Sequence, residues 1–361
     1  MKRRRQRYNN NVKEDRLSNL PDFLLLHILS FVDTKHAVQT CILSTRWKNI
    51  WKHLPTLTLH SSRFRNMKDF TKFVSRILSL REESTTLQSL DFQRSGIVEP
   101  HLLKRIVKYV VSHNVQRLRI NIRCDFQHFQ TCLFSCHTLT SLDLSVVHSR
   151  TSEKLLFPSS LNLPALTSLS LQSFAFPVGN DGRTEPFMTL QNLNSLIIRR
   201  CKVIDAHTIC ISSATLANLT LETHLGDYCE IELSTPSLCT FVCVCIEVIP
   251  TLKLCASKTN LSSVKHVAIH VFCPSRSIKT SLVLLNWLVE LSNIKSLIIN
   301  SSILEVLSLV PDLLKVEFRS FCNLKSLKVH KYIPSSEPNG VLDFLLQNSP
   351  TTKAEIINLF R

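Results

Sequence analysis

The residues best suited to chemistry in this sequence are its cysteines and histidines. The chain has thirteen cysteines, and the nearest approach to a metal-binding pattern is formed by Cys124, His128, Cys132, Cys136 and His137. Zinc sites usually present their ligands in closely spaced pairs such as CxxC, and no CxxC occurs here. Because the cysteines are scattered and often lie inside apolar segments, we expect buried free thiols in a reducing compartment, no metal site and no cofactor.

The motifs of common enzymes are absent from the sequence. The chain has five glycines, none of them in a phosphate-binding loop, and it contains no GxSxG, HExxH or P-loop pattern. His266 and His270 would share one face of a predicted strand, but two histidines without a third ligand are more often ordinary surface residues. We therefore expect that the chain is not an enzyme.

The chain is strongly basic, with a formal net charge of +16. Residues 1–16 hold seven basic and two acidic residues, and we predict a disordered basic tail over residues 1–13. Such a tail is compatible with a nuclear localisation signal, a nucleic-acid contact or a terminus that is merely exposed to solvent. Since no basic stripe is interleaved with aromatic residues, nucleic-acid binding is the less favoured interpretation. No apolar run of about 18 residues is present, so we expect no membrane partner and a location in the nucleus, the cytoplasm or both.

Three short helices are predicted directly after this tail. Pro21 and Asp22 favour the start of the first helix, because proline lacks an N–H and aspartate suits the positive end of the helix dipole. Asp33 is a suitable cap for the second helix, and Trp47 begins an apolar spacing typical of a third. Modules of about 40 residues bury too little surface to stand alone. Either the following domain or a partner protein must therefore cover the remaining apolar side chains.

The most distinctive residues of this helical module are the run Asp15–Asp22, the leucine-rich segment that ends at Val32, the pair Ala37 and Val38, the run Cys41–Ser44, and Arg46, Trp47 and Trp51. In these residues the module resembles the F-box of plant F-box/leucine-rich-repeat proteins. We set the bounds of the F-box at residues 14–53. The resemblance implies that the module binds a Skp-type adaptor and, through it, a cullin. The residues to which it assigns adaptor binding are Leu20, Pro21, Ile28, Leu29, Leu43 and Trp47.

The chain then repeats the pattern apolar-x-x-apolar-x-apolar eleven times over residues 54–331, at intervals of 22 to 33 residues. The last three positions of each copy are typical of a strand with one buried face, and the recurrence is typical of leucine-rich repeats. One repeat cannot bury its own apolar side chains, so the repeats must stack. We predict an α/β fold in which the helical module is followed by a curved solenoid with a parallel sheet on its concave face.

Other segments of this region are predicted from the same patterns. Residues 67–80 and 99–113 have the periodicity of amphipathic helices on the convex side, and residues 176–187 are predicted to form a loop. Residues 332–361 are interpreted as a C-terminal cap, with a turn at 338–340 followed by a short helix. The segment from about residue 280 onward also resembles the C-terminal region of plant F-box proteins of the FBD type.

Polar strand residues between and after the apolar positions should face the concave side. Those selected as candidate contacts are Asp91, Arg119, Asp143, Arg199, Glu222, His270 and Lys328. Their mixed charge fits either a surface that recognises a protein or a solvated sheet face, and both interpretations stay open.

Together, the resemblance and the repeats imply the target-recognition subunit of an SCF-type ubiquitin ligase. The F-box would bind the Skp-type adaptor, and the repeats would bind a protein target for ubiquitination. Two alternatives remain: an adaptor-binding scaffold without a ligase role, and a basic nucleic-acid-binding protein.

Overall fold

The structure of the chain is a computed structural model. It describes residues 17–359, apart from residues 18, 82–85, 126–130, 149–153, 180–182, 225–226, 229, 255–262, 273, 275, 313–320, 333–338 and 350–351. The predicted basic tail lies outside the described residues, as do His128 and the start of the predicted turn at 338–340.

Three short helices begin the described chain. They are α1 (Asp22–Ser30), α2 (Thr34–Gln39) and α3 (Trp47–Ile50). Pro21 precedes the first residue of α1, as its missing N–H allows. The carboxylate of Asp33 caps α2 by accepting a hydrogen bond of 3.0 Å from the backbone N–H of His36. The predicted helical N-terminal region is therefore confirmed.

The rest of the described chain contains eighteen strands. They are β1 (Thr56–His60), β2 (Ser89–Ile97), β3 (Arg117–Cys124), β4 (Ser141–His148), β5 (Leu155–Leu156), β6 (Ser168–Gln172), β7 (Phe174–Phe176), β8 (Ser195–Arg199), β9 (Lys202–Val203), β10 (Thr208–Ser212), β11 (Asn218–Thr223), β12 (Glu230–Ser234), β13 (Thr240–Ile246), β14 (Thr251–Leu254), β15 (His266–Phe272), β16 (Ser296–Asn300), β17 (Ser326–Lys331) and β18 (Lys353–Asn358).

Twelve of these strands form one long parallel sheet in the order β1-β2-β3-β4-β6-β8-β11-β13-β15-β16-β17-β18. Each of the eleven sequence repeats supplies one strand, from β1 to β17. The register places equivalent apolar residues side by side, as Leu57, Leu90 and Leu118 show on the first three strands. The predicted α/β class, with a long parallel sheet after a helical region, is confirmed.

The back of the sheet is covered by helices at its two ends. These helices are α4 (Met67–Leu80), α5 (Pro100–Ser112), α6 (Ile278–Glu290), α7 (Ser301–Leu307) and α8 (Asn339–Gln347). In the middle repeats the described chain instead forms two small parallel sheets, β5-β7-β9 and β10-β12-β14. The two amphipathic helices expected from the sequence are α4 and α5. None of the described helices has the length and apolarity to cross a membrane.

One apolar core runs between the sheet and its backing and continues into the helical region. Leu25 and Trp51 of the helical region belong to the same buried cluster as Phe92 and Trp287 of the repeats. The ten described cysteines are free thiols, six of them buried. Among the described residues, no three histidine, cysteine or acidic side chains converge closely enough to hold one metal ion.

Candidate functional site

The first candidate surface lies on the helical region, where large apolar side chains face solvent. Phe23 and Ile28 of α1, and Phe31 directly after it, project away from the buried Leu25 and Leu29. Because α-helical residues are spaced by about 100°, these exposed side chains share one half of the helix. We call the exposed apolar residues here the helical face: Leu17, Phe23, Ile28, Phe31, Val32, Ile42 and Leu43.

The residues predicted to bind the adaptor are divided between this face and the core. Pro21, Ile28 and Leu43 are exposed, and Leu20 is half-buried against the core. In contrast, Leu29 and Trp47 are only 2% and 4% exposed. Any contribution of these two buried residues to adaptor binding would act by holding their neighbours in place. Their predicted role in binding stays a prediction.

The most exposed side chains of the helical face were not among the predicted contacts. Ile42 is 84% exposed and Phe31 is 76% exposed. Phe23 also faces solvent, beside the polar residues of α1. An apolar residue among the polar positions of an amphipathic helix is a signal that could have identified Phe23 from the sequence alone.

Polar contacts hold the start of the helical region in place. The guanidinium of Arg46 donates hydrogen bonds to the backbone oxygen of Leu20 and, at 2.8 Å, to the carboxylate of Asp22. These contacts tie the first turn of α1 to the start of α3. Burial tends to raise the pKa of Asp33, but hydrogen bonds from His36 and the charge of Arg63 outweigh this effect and hold that pKa below its usual value.

A buried arginine joins the helical region to the first repeats. Arg81 follows α4 and is 4% exposed. Its guanidinium donates hydrogen bonds to the Leu54 carbonyl oxygen and to the Tyr109 hydroxyl, both at 2.9 Å. The hydroxyl of Thr34 also accepts a bond of 2.8 Å from the backbone N–H of Thr58 on β1. The helical region and the repeats are therefore connected by polar contacts as well as by the shared core.

The second candidate surface is the face of the long sheet opposite its apolar core, which we call the open face. All seven candidate contacts predicted from the sequence lie on it, because they alternate with buried residues along their strands. The structure brings four of them together around one polar cavity of about 290 Å³, which His60 also lines. These four are Asp91, Arg119, Asp143 and Arg199.

Ion pairs connect the side chains around this cavity. The Arg119 guanidinium lies between two carboxylates, 3.0 Å from Asp143 and 3.7 Å from Asp91. A ring nitrogen of His60 lies 3.3 Å from Asp91 without hydrogen-bond geometry. On the neighbouring repeats, Glu222 pairs with Arg200 at 2.9 Å and with Arg199 at 3.9 Å. Arg119, Arg199 and Arg200 are thus each paired with a carboxylate within the sheet.

The other two candidate contacts lie in the second half of the open face. Lys328 pairs with Glu355 of the last strand at 2.9 Å. His270 stacks on His330 with ring centroids 5.4 Å apart. Burial and the neighbouring His330 lower the pKa of His270 to about 4, so its ring is uncharged at neutral pH.

Comparison with known proteins shows what the helical region and the whole chain are similar to. Residues 17–59 match the F-box domain, a match that includes β1. An F-box/FBD/LRR-repeat protein of Arabidopsis thaliana is 29% identical over 380 residues, which cover 95% of this chain and 77% of that protein. A putative FBD-associated F-box protein of the same plant is 26% identical, covering 96% of this chain and 74% of the relative. The resemblance to plant F-box/leucine-rich-repeat proteins is confirmed.

A solved structure also resembles the chain. It is a chain in the crystal structure of a TLR13-ssRNA13 complex, with a TM-score of 0.41 and 11% identity. The similarity covers 78% of this chain and 44% of that chain.

Proposed function

We propose that this chain, which carries an F-box domain and whose relatives are F-box/FBD/LRR-repeat proteins over most of its length, is the target-recognition subunit of an SCF-type ubiquitin ligase. Its F-box domain binds a Skp-type adaptor and, through it, a cullin. Its repeat region binds a protein target for ubiquitination. The observation that carries the proposal is the exposed helical face inside the matched F-box domain.

The helical face has the chemistry of a protein interface. Phe31, Ile42 and Leu43 are large, apolar and mostly exposed, and several such side chains on one small helical region are typical of an interaction site. Burying one such side chain yields about 1.5–3 kcal/mol. A partner that covers several of them can offset the cost of association, which is about 4–15 kcal/mol. The hydrogen bonds that Arg46 donates to Leu20 and Asp22 hold Leu20 and Pro21 next to this face.

In this proposal the chain supplies proximity rather than bond-breaking chemistry. Other subunits of the ligase transfer ubiquitin, and this chain raises the effective concentration of target lysines near the loaded enzyme. We propose that it acts in the nucleus, the cytoplasm or both, where such ligases find their targets.

The first test measures adaptor binding by the purified full chain. We expect an equimolar complex with a Skp-type adaptor in gel filtration, and we expect the double variant Phe31→Ser/Ile42→Ser to bind at least about a hundredfold more weakly, because two anchors of the interface are lost. Calorimetry on the same samples measures the affinities. The matched control is Met188→Ser, which removes an exposed apolar side chain from the repeat region.

The outcomes separate the parts of the proposal. Circular dichroism establishes that each variant is folded. If the folded wild type does not bind the adaptor, or if all three proteins bind equally, the helical face is not an adaptor site. If the complex forms but a cullin does not join it, the ligase role fails and an adaptor-bound scaffold remains.

A further inference from the structure

In the second half of the open face, strands β13, β15 and β16 carry apolar side chains at their central positions, where most strands of the first half carry polar ones. Val242 on β13, Ala268 on β15 and Ile298 on β16 lie side by side in register, and each is partly exposed. Val244 and Ile246 continue this surface along β13. An open sheet face normally carries polar residues, so a contiguous run of half-exposed aliphatic side chains marks a site of interaction.

Four rings border these aliphatic side chains. His270 stacks on His330, and Phe272 meets Tyr332 edge-on with ring centroids 5.1 Å apart. The Nδ1 atoms of both histidines are buried and have no hydrogen-bond partner among the described residues. We call the aliphatic and aromatic residues together the apolar patch: Val242, Val244, Ile246, Ala268, His270, Phe272, Ile298, His330 and Tyr332.

Three lysines lie at the edge of the same strands. Lys265, Lys295 and Lys325 immediately precede β15, β16 and β17, and all three are exposed. Their backbones are aligned, since the N–H of Lys295 donates to the oxygen of Lys265 and the N–H of Lys325 donates to the oxygen of Lys295, both at 2.8 Å. We call these three residues the lysine row.

The lysine row is a concentration of positive charge without internal compensation. Neighbouring strands are about 4.8 Å apart, and like charges on adjacent strands repel one another. None of the three lysines forms an ion pair with a described residue. The first half of the open face differs, because Arg119 and Arg199 are paired with carboxylates there.

The distance between the lysine row and the apolar patch matches the length of a short extended peptide. Ile298 lies three residues after Lys295, and His270 lies five residues after Lys265. At about 3.3 Å per residue, these separations are roughly 10 and 16 Å along the strands. An extended segment of three to five residues that starts at this edge of the sheet and runs along the strands spans these distances.

We propose that the lysine row and the apolar patch form one docking site for an extended acidic segment of a protein target. Acidic residues of the segment pair with the lysine row, and a large apolar or aromatic side chain three to five residues away packs on the patch. The inference rests on the proposed role of the repeat region in target binding, and it names the chemistry of the target.

Charge complementarity and shape favour a protein segment as the occupant. Three ammonium groups in a row, none of them paired with a described residue, attract carboxylates over a distance set by ionic strength. Val242, Val244 and Ile298 offer aliphatic surface for an apolar anchor, and the stacking of His270 on His330 leaves these two rings less free to stack on nucleic-acid bases. Because the ring of His270 is uncharged at neutral pH, an apolar side chain packs on it without burying a charge.

The test is a peptide selection on the full chain bound to its adaptor. Displayed random peptides of about 16 residues, long enough to span the site several times over, are selected and their affinities measured by fluorescence anisotropy. We expect enriched peptides with two or more acidic residues three to five positions from a large apolar residue. Their binding should weaken with added salt.

Variants of the chain assign the binding to the proposed site. We expect Lys265→Ser/Lys295→Ser/Lys325→Ser and, separately, Val244→Ser/Tyr332→Ser to bind the enriched peptides at least about tenfold more weakly. The matched control Lys72→Ser/Lys104→Ser/Lys108→Ser removes the same charge from exposed positions on α4 and α5 and should bind normally. Circular dichroism checks the fold of each variant.

Several results would overturn the proposal. They are the absence of enriched peptides, enriched peptides without acidic residues, and equal binding by the lysine-row variant and its control. A labelled oligothymidylate that binds more tightly than the peptides, with the same dependence on the lysine row, would make the surface a nucleic-acid site instead. Adaptor affinity is measured on the same wild-type sample, so a failure of the F-box function is distinguished from a failure of this site.

Discussion

Phe31 at the end of α1 and Phe92 on β2 are the same residue type in two regions of the molecule, yet Phe31, which caps the helix, is 76% exposed and Phe92 is fully buried. The helical region is too small to bury its own apolar side chains, and the repeats cover only one side of it. Each repeat strand, in contrast, is covered by its neighbours and by the backing of the sheet. Exposed apolar residues are therefore concentrated on the helical face. In the repeats, the partly exposed apolar side chains that suggest a binding site lie on the open face.

The largest effect is expected from substitutions that separate the buried and exposed sides of α1. Leu29 is buried and Ile28, its neighbour, is 42% exposed. We expect Leu29→Ala to lower the free energy of unfolding by about 2–4 kcal/mol because it leaves a cavity. Ile28→Ala should lower it by only about 0.5 kcal/mol. Urea unfolding followed by circular dichroism measures both values.

Adaptor affinity should show the opposite order for the same two variants. The folded fraction of Leu29→Ala should bind the adaptor nearly as the wild type does, whereas Ile28→Ala should bind more weakly. Equal losses of stability would show that α1 has no distinct buried side, and the comparison between the two regions would then fail.

The repeat strands could be predicted because their signal is local. One buried face produces an alternation of apolar residues in each copy, and this alternation predicted every strand of the long sheet from β1 to β17. The last strand, β18, was missed. Its residues Lys353–Asn358 are mostly exposed at the sheet edge, and the strand forms by backbone pairing with β17 without a buried apolar face.

The candidate surfaces were predictable only in part. Strand alternation placed Asp91 and Arg119 on the open face, but their gathering around one cavity depends on the register of neighbouring strands. The lysine row could not be predicted, because its members lie 30 residues apart in sequence and only the register of neighbouring strands brings them together. In the helical region, the family resemblance named Leu29 and Trp47 without revealing that both are buried.

A second prediction tests whether the two regions unfold as one unit. Arg81→Met removes the guanidinium that donates hydrogen bonds to the Trp51 carbonyl oxygen of the helical region and to Leu54 and Tyr109 of the repeats. Because buried partners left without a hydrogen bond are costly, we expect the free energy of unfolding to fall by about 2–3 kcal/mol. Differential scanning calorimetry and urea unfolding measure the change.

The control for this junction is Arg76→Met, which removes an exposed arginine from the preceding helix. It should change stability by no more than about 0.5 kcal/mol. If Arg81→Met splits one thermal transition into two, the arginine couples the regions. An Arg81→Met variant as stable as Arg76→Met would show that the shared core alone joins them.

The smallest expected effect is a pH dependence that originates in the apolar patch. Burial and His330 lower the pKa of His270 from 6.5 to about 4, so the folded chain disfavours the charged ring. Between these two values the unfolded chain binds a proton that the folded chain does not. Stability should therefore fall as the pH is lowered from about 6.5 toward 4, and His270 should contribute nothing to the pH dependence above that range. Part of the ring remains in contact with solvent, which keeps the loss small.

Urea unfolding of wild type and His270→Gln at about pH 7.5 and about pH 5 measures this contribution. The wild type should lose more stability than the variant between the two conditions, because glutamine cannot take up the proton. His207→Gln, which replaces an exposed histidine, should retain the wild-type pH dependence. If His270→Gln and the wild type lose the same stability, the patch tolerates a charged imidazole. Its apolar character would then depend on Val242, Val244 and Ile298 alone, and a target segment would be held equally well in acid.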